Sequence, residues 1–102
     1  MLIAFSIAPS GGPGSSDSLH DAVAAAVAVV RASGLPNHTD SMFTTIEGTW
    51  DEVFGVLKDA VDAVSPYGTR ISVQLKADIR PGRTDEIHGK VERLEQALRE
   101  RG

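Results

Sequence analysis

At 102 residues the chain is long enough for one hydrophobic core and too short for two independent ones, so a single domain spanning 1–102 is expected. A formal net charge of -4 at pH 7 and a pI near 5.2 argue against a phosphate-binding surface and set nucleic acid aside as a partner. Cysteine is absent, which excludes disulfide staples, thiolate metal ligands and thiol nucleophiles.

Leu2 to Ala8 alternates, with Ile3, Phe5 and Ile7 on one face and Leu2, Ala4, Ser6 and Ala8 on the other, and reads as a first strand. The run has no basic flank and is too short for a signal-peptide core. No apolar run approaches the ~20 residues of a membrane span, so a cytoplasmic protein without a membrane partner is expected. Pro9 to Asp17, with Gly11, Gly12, Pro13 and Gly14, reads as a loop that ends the strand. Ser18 is placed to cap a first helix with Asp21 in its first turn and an apolar stripe of Leu19, Val23, Val27 and Val30, ended by Gly34 and Pro36. Its alanines at 22, 24, 25, 26 and 28 favour helix and permit close packing.

His38 to Met42 and Thr44 to Gly48 read as two short strands without a two-residue turn signature between them. Thr49 and Glu52 have the spacing of a capping box, followed by the stripe Val53, Leu57, Ala60, Val61 and Val64 and the stop signals Pro66 and Gly68. From Thr69 to Arg80, Ile71, Val73, Leu75, Ala77 and Ile79 alternate with polar residues, which predicts a strand with one core face. After Pro81-Gly82, Thr84 is placed to cap a third helix bearing Ile87, Val91, Leu94 and Leu98.

The order is βαββαβα. It implies an α+β, ferredoxin-like βαββαβ sandwich: an antiparallel four-stranded sheet with the first and third strands central, two helices on one face, and a C-terminal third helix. The open face is expected to carry Leu2, Ala4, Ser6, Phe43, Thr45, Glu47, Ser72, Gln74, Lys76 and Asp78. Exposure of Leu2 and Phe43 there would be costly for a monomer, so a homo-oligomer, dimer or tetramer, is expected.

Five segments, in order, resemble the YkoF-like thiamine-binding family of small ferredoxin-like proteins: Ile7-Ala8-Pro9, Ser16-Asp17-Ser18-Leu19 with Val23-Ala24, Met42 to Gly48, Lys76-Ala77-Asp78-Ile79-Arg80, and Gly89-Lys90-Val91-Glu92. The resemblance covers nearly the whole chain and rests on order and spacing rather than on any single motif. It implies an oligomeric, cytoplasmic binding protein for thiamine or its hydroxymethylpyrimidine precursor, with no other cofactor. Phe43, where the family usually has glycine, and the glycine-rich loop at 10–16 depart from the pattern.

Glu47, beside Thr45, is the leading ligand-binding candidate, because a carboxylate there can accept from an aminopyrimidine or face a thiazolium cation. The alternative is an exposed charge favouring the following helix N-terminus. Phe43 is a candidate stacking residue, whereas Phe5 is expected in the core and Trp50 in helix packing. Ser16 and Ser18 can meet a ligand through hydroxyls or amides, or simply cap the helix. Asp78 and Arg80 share a strand face and can meet each other, a neighbouring subunit or the ligand. His20, His38 and His88 lack metal-ligand spacing, the glycine-rich loop lacks a P-loop ending, and no catalytic residues stand out. A dimeric ferredoxin-like enzyme acting on a small flat substrate and a ligand-free regulatory or assembly domain are the alternatives, and an RNA-binding module is disfavoured by charge.

Overall fold

The computed structural model describes residues 1–11, 16–82 and 86–101, with the backbone alone for 16–18. Strands β1 (Leu2–Ser10), β2 (Asn37–Thr39), β3 (Thr44–Glu47) and β4 (Arg70–Asp78) form one sheet in the order β2-β3-β1-β4. Neighbours are antiparallel throughout. Helices α1 (Ser16–Ala32), α2 (Trp50–Val64) and α3 (Glu86–Arg101) complete the ferredoxin-like arrangement, with a 3-10 turn at Ser65–Tyr67. As expected, β1 and β3 are central.

The alternation of β1 sends Ile3 and Phe5 to the helix side, where they pack with Val30, Ile46 and Val53. Ile3, Ile46, Val30, Val53 and Val64 are the largest fully buried side chains, each worth about 1.5–3 kcal/mol of transfer free energy. The strand runs past Ala8 through Pro9 and Ser10, which were expected in the loop. Its last pair with β3 is Phe5↔Thr44, so Pro9 lies where only β4 is paired and a missing N–H is tolerated. At Ser10 the strand passes close to Gly68, where an added Cβ would stand 2.6 Å from the Ser10 carbonyl oxygen.

α1 begins at Ser16, so Ser18 is inside the helix rather than its cap. Its buried face is Ala22, Ala26 and Val30, whereas Leu19 and Val23, expected to pack, are each 46% exposed. The small residues win because α1 lies against Ala60 and Val64 of α2, and two helices approach closely only where side chains are short. Gly34, at φ 78°, turns the chain out of the helix in a conformation that costs other residues energy.

The link from β2 to β3 is shorter in strand and longer in turn than expected. The Asp40 carboxylate accepts the N–H groups of Met42 (2.8 Å) and Phe43 (2.9 Å), so 40–43 form a side-chain-stabilised turn rather than ladder. Those two amides hold the Asp40 carboxyl below its ordinary pKa. α2 has the predicted capping box: Thr49 accepts from Glu52 N–H, and the Glu52 carboxylate accepts from Thr49 N–H at 2.9 Å. Val53, Ala60 and Val64 of the expected stripe are buried.

Two apolar faces remain exposed among the described residues. On β4, Val73 and Leu75 share the helix side with Phe5 and Ile7 through the register but remain exposed, and Ile79 beyond the strand is exposed too. On α3, Val91, Leu94 and Leu98 are each more than half exposed. Leu2 reverses the expectation, being buried on the open face where the start of α3 comes down. Exposed apolar side chains thus lie on β4 and α3, as well as at Leu19, Val23, Met42 and Trp50, and Leu2 is not among them. α3 also lengthens the molecule: its radius of gyration is 15.5 Å, against about 13 Å for a compact domain of this length. No helix among the described residues is long and apolar enough to cross a membrane.

Candidate functional site

Glu47 ends β3 on the open face, paired across β1 with Leu2. It is 7% exposed and therefore not the solvated charge that was the alternative reading. Backbone donors meet the Glu47 side chain there: Glu86 N–H at 2.8 Å and Ile87 N–H at 3.2 Å, which offset the cost of burying its polar atoms. These are the first amides of α3, which a helix leaves without internal partners. Glu47 thus acts as a capping acceptor supplied from another element; Thr84, the cap expected from sequence, lies outside the described residues.

Asp78 pairs with Leu2 from the opposite strand, so Glu47 and Asp78 flank Leu2 on one face. Asp78 hydrogen-bonds Lys90 of α3 and lies 3.6 Å from the Arg80 guanidinium. The Lys90 contact, assisted by Arg80, holds the Asp78 carboxyl below its ordinary pKa. Glu86 is itself buried and accepts from Arg93 at 2.8 Å. Among the described residues, every buried side-chain nitrogen or oxygen has a hydrogen-bond partner.

Two clefts adjoin this centre. The larger, about 740 Å³, lies at the end of the sheet and is walled by Met1, Leu35, Glu47, Trp50, Ile79 and Arg80. That volume is in the range of small-molecule sites, and its wall is mostly apolar with a few polar groups. Trp50 departs from expectation: it is 55% exposed, although its indole stacks on Phe54 with centroids 5.4 Å apart and planes 14° from parallel. Stacking on one side fixes the ring and leaves a rigid aromatic surface. Position in the first turn of α2, just after Glu47-Gly48, was the available sequence signal. The second cleft, about 530 Å³, lies on the open face between β2, β3 and α3 and includes Leu2, His38, Thr45, Ile87, His88 and Lys90.

The expected site residues therefore divide. Glu47 and Arg80 share the larger cleft, Thr45 borders the smaller one, and Asp78 anchors Lys90. Phe43 is half-buried at the other end of β3, lining a small cleft with Met42 and Val27. Ser16 and Ser18 open α1 after the far end of β1, whose 9 residues span roughly 30 Å at ~3.3 Å each. Their side chains, and loop residues 12–15, are outside the described set. No group of three or more metal-ligating side chains occurs among the described residues.

Comparison with known proteins gives consistent matches. The family model described as thiamine-binding protein matches residues 3–95. The UPF0045 protein Mb1933 of Mycobacterium bovis is 46% identical over 99 residues, covering 96% of this chain and 94% of that protein. Among solved structures, the hypothetical protein MJ1052 from Methanocaldococcus jannascii superposes with a TM-score of 0.76 at 28% identity, covering 92% of this chain and 94% of the other. A candidate thiamine biosynthesis/salvage protein from Thermotoga maritima shares the fold, with a TM-score of 0.67, 20% identity and coverage of 90% and 99%.

Proposed function

This chain belongs to the thiamine-binding protein family, and we propose that it is a homo-oligomeric binding protein for thiamine or its hydroxymethylpyrimidine precursor, held in the cleft at the end of the sheet. The observation that carries this reading is the meeting of a buried carboxylate, Glu47, with an exposed, back-stacked indole, Trp50, across one cleft of about 740 Å³. A flat heteroaromatic ring matches the indole by stacking, and a thiazolium cation gains from the negative face of that ring. Glu47 accepts hydrogen bonds from an exocyclic amine or balances the cation. Arg80 at the rim suits an anionic substituent such as the phosphate of a thiamine phosphate.

In this assignment Thr45 and Asp78 serve the shelf that receives α3. Phe43 lines a separate cleft with Met42 and Val27 and is not assigned to this ligand. Self-association is supported by the uncovered apolar faces of β4 and α3, because a free edge strand bearing Val73 and Leu75 is a ready pairing surface.

Trp50 is the sole tryptophan, so its fluorescence reports on the cleft directly. Titration with thiamine, thiamine phosphates and hydroxymethylpyrimidine is expected to give saturable quenching with at least one of them. An emission spectrum indifferent to all of them would remove Trp50 from the site and, with it, this placement of the ligand.

A further inference from the structure

We propose that Glu47 couples occupancy of the sheet-end cleft to the docking of α3, so that ligand and helix stabilise one another through one carboxylate. The inference rests on the ligand placement above and concerns the regulation of that same site.

An ionised carboxylate offers about four lone-pair positions on two oxygens. Glu47 uses one oxygen for Glu86 N–H and the other for Ile87 N–H, and the same side chain lines the cleft. A donor or cation arriving from the cleft can therefore engage Glu47 while the two amides stay in place. Pinned by those amides, the carboxylate is already oriented before a ligand arrives, and preorganisation of this kind raises affinity.

α3 meets the sheet at its first turn. Of its 16 residues, all from Lys90 onward are exposed. Its polar ties to the sheet include the Glu47 contacts and the Lys90–Asp78 pair. Ile79, Arg80, Pro81 and Gly82, which precede α3 in the chain, also line the cleft. A ligand there touches both the acceptor of the first turn of α3 and the segment that delivers it. Differential contact of this sort is what a shift between docked and undocked helix requires, and linkage makes the effect reciprocal. The outward stripe of Val91, Leu94 and Leu98 is then presented in a fixed orientation when the cleft is filled.

The test combines residue-resolved hydrogen exchange with calorimetry, using hydroxymethylpyrimidine and thiamine as probes. In the wild type, saturating probe is expected to slow exchange of the Glu86 and Ile87 amides by about ten-fold, within the ordinary range of allosteric coupling. Glu47→Gln is expected to lose that protection and its response, with Val53 and Val61 amides in α2 unchanged as the control for an intact fold. Ile87→Pro tests the reverse direction without altering the cleft, because proline is tolerated in a first helical turn and removes one amide donor. Its probe affinity is expected to fall about ten-fold by reciprocity. Calorimetric binding with unchanged Glu86 and Ile87 exchange, or full affinity in Ile87→Pro, would overturn the coupling and leave the binding reading standing. Absence of binding by both probes would overturn both readings.

Discussion

The carboxylate of Glu47 accepts the backbone N–H of Glu86 at 2.8 Å across a sequence separation of 39 residues, joining the end of a central strand to the start of the last helix. This contact satisfies a carboxyl side chain buried in a small domain, and Glu47 also lines the larger cleft. It also makes the C-terminal helix answerable to chemistry at the sheet end.

The capping box of α2 gives the simplest stability prediction. Thr49→Ala removes the acceptor of Glu52 N–H and is expected to cost about 1 kcal/mol, lowering the thermal midpoint by several degrees. Differential scanning calorimetry measures this, and an unchanged midpoint would show that Glu52 alone secures the helix start.

The α1–α2 contact predicts opposite sensitivities on one helix. Ala26→Leu places bulk against the face shared with Ala60 and is expected to destabilise by about 1–3 kcal/mol. Leu19→Ala, on the exposed side, is expected to leave the stability of the folded chain within about 0.5 kcal/mol. Urea denaturation of both variants separates this packing from the Leu19-Val23 stripe that periodicity suggests.

That stripe shows where the sequence was legible and where it was not. Strand alternation in β1, the Thr49–Glu52 box and the αβ order were readable because each is a local pattern. Which stripe of α1 faces inward depended on the small residues of a partner helix, Ala60 among them, far along the chain, which periodicity within α1 does not encode. β4 alternates as expected, yet its apolar face is uncovered, since alternation records a preference for burial without naming what covers it. Glu47 was visible as a candidate by position. Its hydrogen bonds to α3 and the exposure of Trp50 arise from tertiary contacts that no spacing in the sequence announces.

Glycine substitutions divide by surroundings. Gly68→Ala meets the Ser10 backbone oxygen at 2.6 Å and nitrogen at 2.9 Å and is expected to destabilise by about 1–3 kcal/mol. Gly55→Ala, within α2 and with nothing within 4 Å of the new methyl group, is expected to stabilise by about 0.5–1 kcal/mol. Chemical denaturation compares the two signs.

Acid sensitivity follows from three carboxyls. Asp40, Glu52 and Asp78 are held below their ordinary values of 3.8, 4.5 and 3.8, by the Phe43 amide, the Thr49 amide and Lys90 respectively. A depressed folded pKa contributes stability above the unfolded value and loses it as pH falls through the folded one. The thermal midpoint is therefore expected to hold down to about pH 5 and then fall with acid, and Asp78→Asn to flatten part of that fall. A pH series of melts checks this, and an unaltered profile in Asp78→Asn would show that Lys90 does not govern it.

Isothermal titration calorimetry with thiamine, thiamine phosphates and hydroxymethylpyrimidine tests the proposed function most directly, run on the wild type, Glu47→Gln and Trp50→Ala. A saturable heat in the wild type is predicted for at least one of these ligands, with affinity reduced about ten-fold or more in each variant, as expected when a charged hydrogen bond or an aromatic wall is lost. No heat with any of them, or undiminished affinity in both variants, would contradict a thiamine-class ligand held between Glu47 and Trp50.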